Sequence, residues 1–257
     1  MKKYIILLLL AAATPRLAAQ TDFKASLFGC ISDGITVNTQ SIQTAINTIS
    51  SRGGGMLHFY VGRYLTGAIE LKDNVTIVLH EGATLVGVPS VYDYYGPADA
   101  PKGLIVAEGR KNIGIVGSTP EREFDTNVTG NGIIQGQGAL LTANAEAQIA
   151  KGYLSGTLAQ AAPALISFSA CTGVKVTGLT LQGAAGDVAT YKNCKDVETA
   201  RLLIDSRETP ASCGITVDGC ENVSVNDNFV RVSGKALRIV RSKGVKTRGN
   251  KTPAGKL

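Results

Sequence analysis

Residues 194–225 read CKDVETARLLIDSRETPASCGITVDGCENVSV. The stretch opens on Cys194-Lys-Asp-Val197-Glu-Thr199 and closes on the same word in another spelling, Cys220-Glu-Asn-Val223-Ser-Val225. The word also occurs before it, as Cys171-Thr-Gly-Val174-Lys-Val176, and after it, as Ser242-Lys-Gly-Val245-Lys-Thr247. Looser copies stand at Asp73-Asn74-Val75-Thr-Ile77 and Lys111-Asn112-Ile113-Gly-Ile115. The four valines are 23, 26 and 22 residues apart. Each unit is strand, polar turn and strand, too small to bury its own apolar side, so the units must stack. Such a period with two-residue alternation predicts an all-β parallel solenoid, whose coils pair about 4.8 Å apart.

Aligning the coils on Cys171, Cys194, Cys220 and Ser242 orders the strands that precede them. Phe168, Tyr191, Val217 and Ile239 form one inward column, and Ile166, Ala189, Ile215 and Leu237 another. The alternating positions face out: Ser167, Thr190, Thr216 and Arg238 in one column, Ser169, Lys192, Asp218 and Val240 in the next. On this face Asp218 is the one carboxylate expected, with Lys192 and, diagonally, Arg238 as its neighbours. The stacked cysteines read as a small-residue ladder at a turn. A disulfide or metal role is the sharper alternative, although no histidine lies near them in the sequence.

Two stretches break the strand rhythm. In 36–51, Ile42, Ala45, Ile46 and Ile49 form the stripe of an amphipathic helix, with Asn38 as N-cap and Gly53 as stop. A solenoid's first coil exposes apolar side chains and strand edges, and a helix over that end is the remedy. Residues 139–162 read as an excursion containing a second helix at 139–152. At the other end, RGNKTPAGKL is short and polar for a cap, so fraying or self-association at the last coil is expected.

The N-terminus is a separate segment. Lys2 and Lys3 precede the apolar run 4–13, and Ala18 and Ala19 follow, the pattern of a signal peptide at 1–19. Export to the periplasm or exterior is expected, with no membrane association after cleavage. Residues 20–257 then form one domain, long enough for a real core. Removing 1–19 takes three cations and no acids, leaving 23 Lys and Arg against 20 Asp and Glu. That balance is too mild to point to nucleic acid. No cofactor is called for.

The segments FKASLFGCISDGITVNTQSIQTAINTISSRGGG (23–55) and GRYLTGAIELKDNVTIVLHEGATLVG (62–87) resemble the start of glycoside hydrolase family 28, the polygalacturonase-like group. GNGIIQGQG at 130–138 is similar to that family's glycine-rich rung, and residues 163–239 follow its next four rungs. The resemblance implies a right-handed parallel β-helix, secretion, and acidic plant polysaccharide or oligosaccharide as partner. It also implies inverting hydrolysis by aspartates: one from an Asn-x-Asp-Gly rung and two from an Asp-Asp pair on the next coil. A His and an Arg-x-Lys follow on later rungs. Here the first rung maps to Ala211-Ser212-Cys213-Gly214 and the second to Gly234-Lys235-Ala236-Leu237. No acid occupies any of these positions, and Leu257 comes before the rungs of the His and the Arg-x-Lys.

Inverting hydrolysis needs two carboxyls about 6.5–9.5 Å apart. One Asp between cations fills neither role, so no catalytic residue is assigned. Thr190, Lys192, Thr216, Asp218, Lys235 and Arg238 are the candidate glycan contacts, since arginine suits carboxylates and hydroxyl columns suit sugars. An active enzyme with relocated residues remains open, as does a purely structural solenoid or gene fragment. A lyase with Arg238 as base would need calcium, hence several clustered oxygens.

Overall fold

A computed structural model describes residues 21–94, 103–118, 132–207 and 212–257. The signal-peptide segment lies outside them. The strands form three sheets of 8, 9 and 6 strands, and each complete coil contributes one strand to each. Sheet A runs from Asp22–Lys24 to Lys243–Arg248, sheet B from Asp33–Val37 to Gly255–Lys256, and sheet C from Ile69–Glu70 to Leu237–Val240. All pairings are parallel except the last in sheet B, where Lys251–Thr252 and Gly255–Lys256 close an antiparallel hairpin. Crossovers between parallel strands of one sheet are right-handed, and the molecule is the right-handed β-helix expected.

The core is built of columns. Ile105, Ile166, Ala189, Ile215 and Leu237 stack in register in sheet C. Leu85, Ile134, Leu181, Ile204 and Val230 do so in sheet B, all buried. In sheet A the column Ile77, Ile115, Val176, Thr199, Val225 admits one hydroxyl. Thr199 Oγ1 donates to the buried Tyr191 hydroxyl at 3.0 Å, so both polar groups are satisfied inside the core.

The turns explain the repeated word. The residue before each valine or isoleucine (Asn74, Asn112, Gly173, Asp196, Asn222, Gly244) has φ between 52° and 70°. Gly, Asn and Asp tolerate this left-handed backbone best, so only they recur there. Neighbouring coils also bond side chain to side chain, Asn112 Nδ2 to Asn74 Oδ1 at 2.9 Å and Asn222 Nδ2 to Asp196 Oδ1 at 2.6 Å. The cysteines are buried and unpaired, as a small-residue ladder requires. The Cys194 N–H donates to Cys220 Sγ at 3.2 Å, and the Cys220 N–H to Ser242 Oγ at 3.0 Å. On the next turn Asn228 and Asn250 are buried. Asn228 Oδ1 accepts from the Leu202 N–H at 2.9 Å and Asn250 Oδ1 from the Asn228 N–H at 3.1 Å.

Helix α1, Thr39–Ser51, buries Ile42, Ala45, Ile46 and Ile49 over the first coil. It starts right after the expected N-cap Asn38, and of the range 36–51 the first residues are not helical, because Asp33–Val37 is a strand of sheet B. Asn38 sits at the N-cap position without capping. Its side chain instead bonds the Ile31 N–H at 2.7 Å and the Ile31 and Thr36 carbonyls at 2.9 and 2.8 Å, pinning the entry loop. The excursion is helix α2, Gly138–Ala150, followed by the short α3, Leu158–Ala161. RGNKTPAGKL does more than expected, since its hairpin covers the edge of sheet B. Among the described residues no helix is long and apolar enough to cross a membrane.

The chain's two histidines meet on the outside of sheet A. His58 Nε2 lies 3.1 Å from Asp22 Oδ1 and its Nδ1 2.9 Å from His80 Nε2, while Tyr60 stacks on His80 with centroids 4.3 Å apart. Burial first, and the neighbouring His58 second, hold the His80 imidazole below its ordinary value. The unfolded chain therefore takes up that proton at higher pH than the folded one, and this contribution to stability falls as pH drops below about 6.5. The difference in urea midpoint between pH 7 and pH 5.5 should shrink in His80→Gln; an unchanged difference would refute the coupling. Asn228→Ala should lower unfolding free energy by about 2–3 kcal/mol, because it orphans buried backbone groups. Urea titration at constant slope checks this.

Candidate functional site

The site expected from sequence is the outer face of sheet C with the loops that enter it. The register is as read: Ser167, Thr190, Thr216 and Arg238 align, as do Ser169, Lys192, Asp218 and Val240. Thr190 is half-buried, and Lys192 and Arg238 are exposed with no ion pair among the described residues.

Three details differ from the sequence reading. Thr216 is 6% exposed, and its hydroxyl lies 3.4 Å from Asp187 Oδ2, so it does not present a free hydroxyl. Asp218 pairs neither with Lys192 nor with Arg238. Arg241, in the turn one coil on, reaches back and clasps it, with Nη2 2.8 Å from both carboxylate oxygens and Nε 3.0 Å from Oδ1. The face also holds more acid than expected, because Glu108 extends the column of Ser169, Lys192 and Asp218.

The residue at this face that sequence reasoning missed is Asp187, in the loop before the strand Ala189–Lys192. Its Oδ1 accepts from the Cys213 N–H at 2.9 Å. Backbone bonds from Val188 to Cys213 and from Gly214 to Lys235 place Asp187, Cys213 and Lys235 on three successive coils. Cys213 is buried, Lys235 exposed and Ala236 half-buried. Gly214 is required by close approach, since a Cβ there would sit 2.6 Å from the Ala236 carbonyl oxygen. The family resemblance mapped two rungs onto this corner, at 211–214 and 234–237, but nothing in the alternation pointed to Asp187.

The carboxylates are dispersed. Asp187 and Asp218 lie on adjacent coils but five residues apart along the strand direction, about 16 Å at the rise of a strand. Glu108 and Asp218 share a column but are three coils apart, about 14 Å. Both separations exceed the 6.5–9.5 Å that an inverting acid and base require. Among the described residues no group of three or more His, Cys, Asp or Glu is arranged to hold a metal ion.

A second concavity lies around the corner, where sheet B meets the start of α2. It encloses about 530 Å³ and is lined by Gln135, Gln137, Gln182, Asp205 and Arg207. Gln135, Gln182, Asp205 and Arg231 form its outward column. Asp205 is held by Arg207 at 2.9 Å and by Arg231 at 3.1 Å. None of the six candidate residues lines it.

Comparison with known proteins agrees with the β-helix fold. Residues 109–255 match the family model "Glycosyl hydrolases family 28". A "Probable polygalacturonase" of Vitis vinifera is 28% identical over 230 residues, covering 84% of this chain and 43% of its own length. The chain spans less than half of the curated relatives it matches. The crystal structure of a glycosyl hydrolase candidate from Parabacteroides merdae superposes with a TM-score of 0.81 at 39% identity, covering 92% of this chain and 97% of that one. The Yersinia enterocolitica family 28 exopolygalacturonase has the same fold, with a TM-score of 0.76 at 21% identity over 91% of this chain and 49% of its own. With the stacked coils, the family match over more than half its length and the solved relative of equal extent, this chain belongs to glycosyl hydrolase family 28.

Proposed function

We propose that this family 28 β-helix is an exported protein that binds an acidic, pectin-type oligosaccharide on the outer face of sheet C without hydrolysing it. The observation that carries the reading is the stack of Cys213 against Lys235 and Ala236, at the positions where the family motif places its acids. A thiol, an ammonium and a methyl supply neither the general acid nor the general base, and each lost role costs about 10²–10⁴ in rate. Asp218 is no substitute, because Arg241 neutralises it. The exposed Lys192, Lys235 and Arg238 favour a polyanion, and Arg238 suits a uronate carboxylate. Relatives named polygalacturonase and exo-poly-alpha-D-galacturonosidase support pectin as the substrate class. The lysine–apolar–alanine pattern of residues 1–19 supports export.

Purified protein incubated with polygalacturonate should release no new reducing ends and no unsaturated, ultraviolet-absorbing product. Trigalacturonate should bind weakly and lose affinity as salt rises from 50 to 500 mM. Lys192→Ala and Arg238→Ala should each weaken binding about two- to fivefold, the scale of exposed ion pairs. Thr216→Ala should leave it unchanged. Turnover by the unaltered chain that disappears in Asp187→Asn or Asp218→Asn would overturn the proposal.

A further inference from the structure

The concavity on the outer face of sheet B is not used by the binding face on sheet C. Its volume of about 530 Å³ falls within the range of small-molecule sites. Gln135, Gln182 and Asp205 form one column across it, one residue per coil and about 4.8 Å apart. Gln137, Leu140 and Arg207 also line it. Two residues back along the same strands stand Ile133, Leu203 and Phe229, all half-buried, with Thr180 among them. A polar column thus runs beside a largely apolar strip.

The charged groups here are engaged with one another. Arg207 grips Asp205 twice, Nε to Oδ1 at 2.9 Å and Nη2 to Oδ2 at 3.2 Å, and Arg231 Nη2 reaches Oδ2 at 3.1 Å. Arg231 also lies over the Phe229 ring, 5.5 Å from its centroid. The amides are not engaged in this way. The Gln182 side chain has no hydrogen-bond partner among the described residues. Gln135 accepts one bond, from Arg63 Nη2 at 3.2 Å, and its NH2 group has no partner among the described residues. Gln137 donates to the Gly87 carbonyl at 2.6 Å, which fixes its side chain.

We propose that this concavity binds an uncharged, hydroxyl-rich oligosaccharide, lying along the column from coil to coil. An amide both donates and accepts hydrogen bonds, and so does a hydroxyl, whereas a carboxylate only accepts and an ammonium only donates. Amides with unused capacity therefore match hydroxyls. The strip of Ile133, Leu203 and Phe229 matches the C–H face of a sugar ring. An acidic glycan fits less well, because both arginines of the site are already held by Asp205. A polypeptide cannot add as a strand, because Ile133–Gln135 is paired on both sides, with Ala83–Gly87 and with Thr180–Gln182. The inference stands apart from the sheet C reading, since none of the candidate residues on sheet C lines this concavity.

The probes are neutral trisaccharides: α-1,4-galactotriose, β-1,4-galactotriose, β-1,4-xylotriose and β-1,4-cellotriose. Trigalacturonate, the charged counterpart of the first, is the contrast. Each is titrated into isotope-labelled protein and followed through the side-chain amide signals of glutamine. At least one neutral trisaccharide should bind and shift the signals of Gln135 and Gln182, with an affinity that does not change between 50 and 500 mM salt. Gln182→Leu should weaken that binding at least tenfold at an unchanged urea midpoint, while Lys192→Ala and Arg238→Ala leave it as it was. Any of three results would overturn the proposal: no neutral trisaccharide binds; trigalacturonate shifts the same two amides as strongly, which means an anion site; or neutral binding survives both Gln182→Leu and Gln135→Leu, which places it elsewhere. The sheet C reading is tested by trigalacturonate with the Lys192 and Arg238 variants, so either reading can fail without the other.

Discussion

The structure depends on in-register parallel stacking. In a β-helix a strand has no partner within its own coil, so every backbone N–H and C=O that enters a ladder is satisfied by the coil before or after it. That requirement holds all coils to one cross-section, and the cross-section then dictates residue types. A left-handed turn at the same place in every coil admits Asn, Gly or Asp at 74, 112, 173, 196, 222 and 244. An inward position must fill the space its stacked neighbours leave, as the small Ala189 does between Ile166 and Ile215, with the larger pair Phe168 and Tyr191 beside it. Polar groups in the interior are paired, as Asn228 with Asn250 on the neighbouring coil and Thr199 with Tyr191.

The same constraint turns the outer surface into a grid. Neighbours along a strand on one face are two residues apart, and neighbours across strands are one coil apart. Groups meant to act on one bond must occupy adjacent points, so chemistry is won or lost by single substitutions at stacked positions. Cys213 and Lys235 stack on Asp187, with Gly214 pressed against the Ala236 carbonyl. Asp218, the acid that alternation pointed to, is held in a bidentate clasp by Arg241.

A solenoid must also deal with its ends. Helix α1 covers the first coil with four buried apolar side chains. The last coil has only a short hairpin over one of its three sheets, and it gathers the positive charge of the molecule.

The repeat, the columns of sheet C and the buried stripe of α1 were all legible in the sequence. They follow from local backbone periodicity, so Ile166, Ala189, Ile215 and Leu237 could be aligned without coordinates. Residue partners were not legible in this way. Alternation made Thr216 a surface hydroxyl, but the loop carrying Asp187 folds over it. Asn38 read as a helix cap, but the entry loop claims its amide on both sides. Arg241 reaches Asp218 from 23 residues away, and the polar cleft of Gln135, Gln182 and Asp205 exists only where α2 returns against sheet B. Periodicity determines which way a strand residue points. What it touches depends on where loops settle and how far long side chains reach, and only the packed coils decide that.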